Sequence, residues 1–99
     1  MSLSSKQIRH LRALAHHLKP VVQVGNAGIT SAVIAKTDTE LTHHELIKVR
    51  LLDADRQDLA DGATALCGAT RSELVQTIGK LLVLYRQREE DPSIVLPES

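Results

Sequence analysis

Aromatic residues are almost absent from this chain of 99 residues, which has no Trp, no Phe and a single Tyr, Tyr85. Its core must therefore be built mainly from aliphatic side chains. Proteins that read single-stranded bases usually stack them on exposed aromatic rings, at about 1–3 kcal/mol per base. The composition excludes a base-stacking surface of this kind.

Cysteine and long apolar runs are also scarce. The single cysteine, Cys67, rules out an internal disulfide, favours a reducing compartment and is expected to be a small core residue. No apolar run approaches the roughly 18 residues of a membrane span, and the N-terminus lacks the apolar stretch of a signal peptide. We therefore expect a cytoplasmic, monomeric protein without a membrane partner, folded as one domain over residues 1–99.

Acidic residues are missing from one third of the chain. Twelve basic and twelve acidic side chains give a net charge of zero, whereas nucleic-acid-binding domains are usually basic overall. Residues 1–36 nevertheless contain no Asp or Glu, and the acids gather at 53–61 and 89–91. The cations of the acid-free segment are Lys6, Arg9, Arg12, Lys19 and Lys36. The sequence therefore predicts an electrically polar molecule whose N-terminal part is basic.

Three segments have the apolar spacing of helices. Ser4 with Gln7 three residues later forms a capping-box pattern, and Pro20 ends the helix that follows. The predicted helices run from about 5 to 17, from an N-cap at Thr30 to about Leu41, and from a cap at Asp53 or Asp55 to a stop at Gly68. The exposed face of the first helix is predicted to be basic.

Four segments have the pattern of strands. Val21–Val24 is short and β-branched, and Glu45–Leu52 alternates, with Leu46, Lys48 and Arg50 expected on the outward face and Ile47, Val49 and Leu51 on the buried one. Leu74–Ile78 and Leu81–Arg86 are separated only by Gly79-Lys80, a spacing typical of a tight hairpin. The order α-β-α-β-α-β-β predicts an α/β fold in which a mixed four-stranded sheet packs with three helices. The tail from about Gln87 is polar and partly irregular, although its apolar residues 94–96 can add an edge strand or dock on the sheet.

A glycine-bracketed loop, Gly25-Asn26-Ala27-Gly28, joins the first strand to the second helix. Free amides and the positive end of a helix dipole then meet at an exposed point where bare backbone can approach a phosphate. Two glycines in a connection more often form a plain turn, but the acid-free surroundings favour a phosphate site. Lys48 and Arg50 are open to two interpretations, because outward strand positions are often charged for solubility alone.

Metal binding and catalysis have little support in the sequence. The pairs His16-His17 and His43-His44 point in different directions and lack a regular third ligand, so we expect no metal and no cofactor. The carboxylates cluster around the third helix and the tail, where capping and solvation account for them, and no Gly-x-Ser-x-Gly motif occurs. We therefore expect no catalytic residue and no enzymatic activity.

Several separated blocks resemble one known family, the CRM domain (chloroplast RNA splicing and ribosome maturation), and in particular its free-standing bacterial YhbY-like members. The resemblance covers about residues 2–96. Its blocks are Leu3–Gln7, Leu18–Val22, Gly25–Gly28, His43–Val49, Val75–Lys80 and Leu82–Arg86. It implies a fold similar to the C-terminal domain of bacterial translation initiation factor three. It also implies binding of structured ribosomal RNA in precursors of the large ribosomal subunit, and hence a role in ribosome assembly.

The family's Gly-x-x-Gly loop corresponds to Gly25, Asn26, Ala27 and Gly28, and its role is similar to that of the loop with which KH domains clamp an RNA backbone. Asn26 and Ala27 carry no charge, so backbone amides and nearby cations must supply the attraction. The candidate cations are Lys6, Arg9, Arg12, Lys19, Lys48, Arg50, Lys80 and Arg86. We expect Gly28 either to have a positive φ or to lie against the bound RNA. The acidic segment 89–91 departs from what RNA binding favours.

Two competing hypotheses remain. A protein-interaction module would dock on a ribosomal protein through the acidic third helix or the apolar tail. A small RNA-processing enzyme would need a carboxylate or histidine beside the loop, and the sequence offers no such constellation.

Overall fold

The structure is a computed structural model that describes residues 2–98, and it contains the seven elements in the predicted order. They are α1 (Ser5–Ala15), β1 (Pro20–Val24), α2 (Ser31–His44), β2 (Leu46–Leu51), α3 (Arg56–Thr70), β3 (Glu73–Ile78) and β4 (Leu81–Tyr85). The predicted α/β class and the mixed four-stranded sheet with three helices are confirmed.

The sheet has the strand order β1-β2-β4-β3. β1 and β2 are parallel and joined by the α2 crossover, while β4 pairs antiparallel with both β2 and β3. The carboxyl ends of β1 and β2 therefore lie at one end of the sheet, beside the β3–β4 turn, and we call this the loop end. The amide of Leu52 donates to the carbonyl of Val24 here at 2.9 Å, and that of Leu51 to the carbonyl of Lys80 at 2.9 Å. In the turn, Gly79 has φ 55°, the positive value expected of the first residue of a tight hairpin.

Helices cover both faces of the sheet. α2 and α3 pack on one face around a cluster that includes Leu41, Val49 and Leu66, and α1 packs on the other around Leu11 and Tyr85. The prediction that β2 is buried on one face only is therefore wrong, because α1 covers the face that was expected to be open. On that face Leu46 is 4% and Lys48 8% exposed, and of the three outward residues of β2 Arg50 alone is classed as exposed.

The helix ends differ from the predicted ones for local reasons. α1 ends two residues before 17, at Ala15, and α2 continues past Leu41 to His44. The added turn of α2 is capped by the Arg88 guanidinium, which donates to the carbonyl oxygens of Thr42 and His43. α3 continues past Gly68 to Thr70, and Arg71 takes the left-handed conformation (φ 57°, ψ 39°) that usually follows a helix. At the other end of α3 the predicted cap at Asp55 is confirmed.

Gly62, in the middle of α3, permits close packing between α3 and β2. It is buried, and a Cβ atom built there would lie 2.7 Å from Cδ2 of Leu51. Glycine lowers the helix propensity by about 1 kcal/mol relative to Ala. Here the missing side chain leaves room for Leu51 in the core.

The tail docks on the α1 side of the sheet through a buried carboxylate. Glu45, 0% exposed and with φ 65°, accepts hydrogen bonds from the amides of Arg88 (2.8 Å), Ser93 (2.8 Å) and Ile94 (2.9 Å) and from the Ser93 hydroxyl (2.9 Å). Ile94 and Leu96 pack against the α1 cluster. Of the two predicted arrangements for the tail, docking is confirmed and the edge strand is wrong.

Burial alone would raise the pKa of Glu45, but these hydrogen bonds outweigh it and hold the pKa below its usual 4.5. The carboxylate therefore stays ionised inside the protein and ties the tail to the start of β2.

Candidate nucleic-acid interface

The Gly25–Gly28 loop forms a tight turn at the loop end of the sheet. The amide of Gly28 donates to the carbonyl of Gly25 at 3.0 Å, and Gly28 has φ 76°, which confirms the first of the two alternatives expected for this residue. α2 begins directly afterwards, with the Thr30 hydroxyl accepting from the amide of Val33 at 3.2 Å. The amides of Gly28, Thr30 and Val33 therefore have partners inside the protein, and the donors available to an anion are the other amides of the loop and of the first turn of α2.

The loop is open to an approaching backbone. Gly25, Asn26 and Ala27 are exposed, and a Cβ atom built on either glycine would meet no other atom within 4 Å. Gly28 needs glycine for its backbone conformation, whereas Gly25 is not at a positive φ. Substitution at Gly25 therefore tests the open space without straining the turn.

One side of the loop is acidic. The cavity between the loop and α3 is lined by Asp53, Asp58 and Asp61 as well as by Gly25 and Gly28. Two of these carboxylates have structural partners: Asp58 accepts from the amide of Asp55 and Asp61 from the side-chain amide of Gln57. Repulsion by three carboxylates would direct a phosphate chain away from α3 and toward the face that carries α1.

The other side of the loop is basic. Arg50 pairs in register with Gln23, which lies two residues, about 7 Å, before Gly25. Arg50 is exposed, and none of the carboxylates in residues 2–98 lies within ion-pair distance of it. The structure thus brings a free guanidinium next to the loop on the α1 face, whereas alternation in the sequence predicted only that Arg50 points outward from its strand.

α1 adds further cations on the same face of the sheet. Lys6, Arg9 and Arg12 are exposed and, among the described residues, have no carboxylate partner. Arg12 shares a cavity with Lys48, a residue expected on an open strand face but covered by α1. The three cations of α1 therefore make this face basic, and Lys48 lies beneath them, whereas Lys36 of the acid-free segment lies on α2 and pairs with Glu40 at 3.2 Å.

Two predicted cations lie far from the loop, and a third, Lys80, lies at the loop end with its ammonium group held by the protein's own backbone. Lys19 precedes β1, six residues and about 20 Å from Gly25, so proximity along the chain was misleading. The Lys80 ammonium donates to the carbonyl of Ala54. Arg86 lies at the opposite end of the sheet from the loop, where β4 ends beside Leu46. These three side chains are therefore either engaged within the protein or distant from the loop.

Arg86 joins α2 and α3 to β4. Its guanidinium donates to the Asp38 carboxylate at 2.6 Å, to the Asp38 carbonyl at 3.0 Å, to the Thr42 hydroxyl at 2.9 Å and to the Thr70 carbonyl at 2.9 Å. All these contacts satisfy structural groups. The sequence provided no signal for them, because Asp38 is 48 residues away.

Two residues outside the predicted RNA-binding set, His16 and Gln76, line the cavity of Arg12 and Lys48. The spacing of Arg12 and His16 by four on one helix could have indicated that they share a side. Gln76 could not have been found, because a bulge between Leu74 and Gln76 changes the register of β3 against β4.

Groups with metal or nucleophile chemistry are dispersed. Among residues 2–98 no three His, Cys, Asp or Glu side chains converge as metal ligands. His44 pairs with Glu40 at 3.2 Å on one helix face. Burial raises the pKa of the Cys67 thiol, which disfavours a reactive thiolate. No helix within this part of the chain is long and apolar enough to cross a bilayer.

Comparison with known proteins shows extensive similarity. Residues 3–86 match the model of the CRS1 / YhbY (CRM) domain. A Haemophilus influenzae protein named "RNA-binding protein" is 48% identical over 89 residues, 90% of each chain. The Bacillus subtilis "Probable RNA-binding protein YqeI" is 45% identical over 95 residues, 96% of this chain and 99% of its own. The solution structure of the Staphylococcus aureus protein SAV1595, a candidate RNA-binding protein, has 45% identity and a TM-score of 0.85, covering 97% of this chain and all of its own.

Proposed function

This chain belongs to the CRS1 / YhbY (CRM) domain family, and on that basis we propose that it binds structured RNA through phosphate position and shape. The observation that carries the proposal is the open Gly25–Gly28 loop with the free guanidinium of Arg50 on one side and carboxylates confined to the other. The names of the relatives support RNA as the partner class and do not name an enzyme.

The loop acts as a backbone clamp in this proposal. Its amides and the start of α2 hold a phosphate, and because the loop carries no charged side chain, Arg50 and the α1 cations supply most of the attraction. Because residues 2–98 expose no Phe, Trp or Tyr ring, the protein recognises the shape of a folded RNA and not the faces of its bases.

We further propose that the RNA is ribosomal and that the protein acts in the cytoplasm on precursors of the large ribosomal subunit. The family resemblance supports this finer assignment. The alternative, docking on a ribosomal protein, has less support at one of its two predicted surfaces, because Ile94 and Leu96 of the tail pack against the protein's own core and only Val95 of this apolar stretch is exposed. Exposed carboxylates of α3 remain the surface for that alternative.

Two measurements test the proposal. In cell lysate fractionated by sedimentation, the protein should travel with large-subunit precursors. In a binding assay with transcribed large-subunit ribosomal RNA, Gly25→Asp should weaken affinity more than tenfold, because a carboxylate would face the clamped phosphate. Ala60→Asp adds the same charge at an exposed position on α3 and is the matched control. Equal affinities of the two folded variants would reject the loop as the clamp, and absence of wild-type binding would reject the function.

A further inference from the structure

Lys48 is a buried cation without a counter-charge. It lies in the middle of β2, is 8% exposed, and is covered by α1. Lysine is almost never fully buried unless it is paired, since removing a charge from water is costly. No hydrogen bond or ion pair joins its ammonium group to any residue between 2 and 98. The group is also not among the polar atoms closed off from solvent, so it retains an opening to the outside.

That opening is a recess of about 360 Å³ between α1, β2 and β3. We call it the Lys48 pocket. Arg12 and His16 line it from α1, and Gln76 and Ile78 from β3. The lining contains an ammonium, a guanidinium, an imidazole and a side-chain amide, and it contains no carboxylate. Every charged group that faces the recess is a donor, and the missing partner is therefore an anion.

The position of the pocket relates it to the loop. Lys48 and Arg50 alternate on the same face of β2, about 7 Å apart. Because Val24 pairs with Leu51, Gly25 lies about four residues, or roughly 13 Å, further along the strand axis than Lys48. Arg50 lies between them. One polyanion can therefore contact the loop, Arg50 and the pocket in succession.

We propose that the Lys48 pocket binds one phosphate group of the RNA backbone, on the same strand that the Gly25–Gly28 loop clamps. This inference rests on the proposed function and adds a second, recessed contact to it. Lys48 supplies a point charge at the base of the recess, Arg12 a two-pronged donor at its edge, and Gln76 an amide donor. Two phosphate sites at a set separation would determine the register of the RNA on the sheet, which a single clamp cannot do.

The test compares Lys48→Met with Arg56→Met. Methionine keeps an unbranched apolar stem, so Lys48→Met should fold with equal or greater thermal stability, because a buried charge is removed. Its affinity for transcribed large-subunit ribosomal RNA should fall about tenfold or more. The slope of its log affinity against log salt concentration should also be smaller in magnitude by about one unit. Arg56→Met removes the same charge from an exposed position on α3 and should change neither the RNA affinity nor the salt slope.

Arg12→Gln provides a second variant in case Lys48→Met does not fold, because Arg12 is exposed and lines the same pocket. If the wild type binds this RNA and both pocket variants bind equally well with the same salt slope, the pocket inference fails while the proposed function stands. If the wild type does not bind, the proposed function itself fails.

Inorganic phosphate distinguishes an RNA site from a site for a free anion. In an NMR titration, phosphate should shift the amide resonances of Lys48 and Gln76 saturably, the shifts should vanish in Lys48→Met, and RNA should displace the phosphate. Saturable binding that RNA does not displace would assign the pocket to a free anion and overturn the inference. Absence of any specific shift would overturn it as well.

Discussion

Substitution of Glu45 by Gln should destabilise the domain strongly. The Glu45 carboxylate is buried and accepts four hydrogen bonds, three at one oxygen and one, from the amide of Arg88, at the other. Glutamine is nearly isosteric with glutamate, but an NH₂ group replaces one of the two carboxylate oxygens. If the oxygen that accepts three hydrogen bonds is kept, the NH₂ group faces the Arg88 amide. Two donors would then face each other. Each bond to a charged acceptor contributes about 1.5–3 kcal/mol, and an unsatisfied buried donor costs about 1–3 kcal/mol.

We therefore expect a loss of about 2–4 kcal/mol in the free energy of unfolding, from a total of about 5–15 kcal/mol for a domain. At about 4–8 °C per kcal/mol, the midpoint of thermal unfolding should fall by about 8–32 °C. Circular dichroism at neutral pH measures this change. Glu90→Gln, at an exposed tail position, removes the same charge and should have little effect.

The pH dependence provides an independent check. Because the pKa of folded Glu45 is lowered, its ionised form stabilises the protein above the usual pKa of 4.5, and this stabilisation is lost as pH falls through the lower folded value. Wild type and Glu45→Gln should therefore converge in stability on acidification. A variant within about 0.5 kcal/mol of the wild type at neutral pH would refute the anchoring role, since changes of that size are ordinary for surface sites. A difference in stability between the wild type and Glu45→Gln that stays constant down to acid pH would refute the anchoring role as well.

The remaining predictions concern packing and the far end of the sheet. Gly62→Val should destabilise by about 1–3 kcal/mol because a side chain would collide with Leu51, whereas Gly68→Ala, exposed and with free space around it, should stabilise by about 0.5–1 kcal/mol. Chemical denaturation measures the change in the free energy of unfolding for each variant. Changes in the same direction for the two variants would contradict the packing assigned to Gly62. Arg86→Ala should cost about 1.5–3 kcal/mol because the bonds to Asp38 and its neighbours are lost. The salt slope of RNA binding should be the same for Arg86→Ala as for the wild type. A slope smaller in magnitude by about one unit would instead show that Arg86 contacts the RNA.

Local patterns predicted the elements and their order because capping, alternation and turn chemistry act over a few residues. Ser4 with Gln7 and Asp55 with Asp58 form capping boxes in the structure, and Gly79 opens the hairpin turn. The Gly25–Gly28 loop was recognisable for the same reason. Its glycines, the preceding strand and the following helix are contiguous in sequence.

The parts of the site that depend on packing between distant elements were not predictable. Alternation placed Lys48 on an outward face, but only the position of α1 over β2 shows that this face is covered. Arg86 resembled a free cation until its partner Asp38 was known, and Glu45 gave no sign of holding the tail. Lys19 is near the loop in sequence yet lies at the other end of β1. Charge alone therefore overestimated the number of cations beside the loop, and the fold reduces the proposed RNA surface to one side of the loop.

The salt dependence of RNA binding, measured for the wild type, Arg50→Gln and Arg56→Gln, tests the central claim most directly. Transcribed large-subunit ribosomal RNA serves as the ligand, between about 50 and 200 mM salt. With about four to six phosphates neutralised, the wild type should give a slope of log affinity against log salt of roughly −3 to −5. The slope for Arg50→Gln, a substitution beside the loop, should be smaller in magnitude by about one unit. The slope for Arg56→Gln, a substitution on α3, should equal that of the wild type. A flat wild-type response, or equal effects of the two substitutions, would contradict an RNA-binding surface built around the Gly25–Gly28 loop.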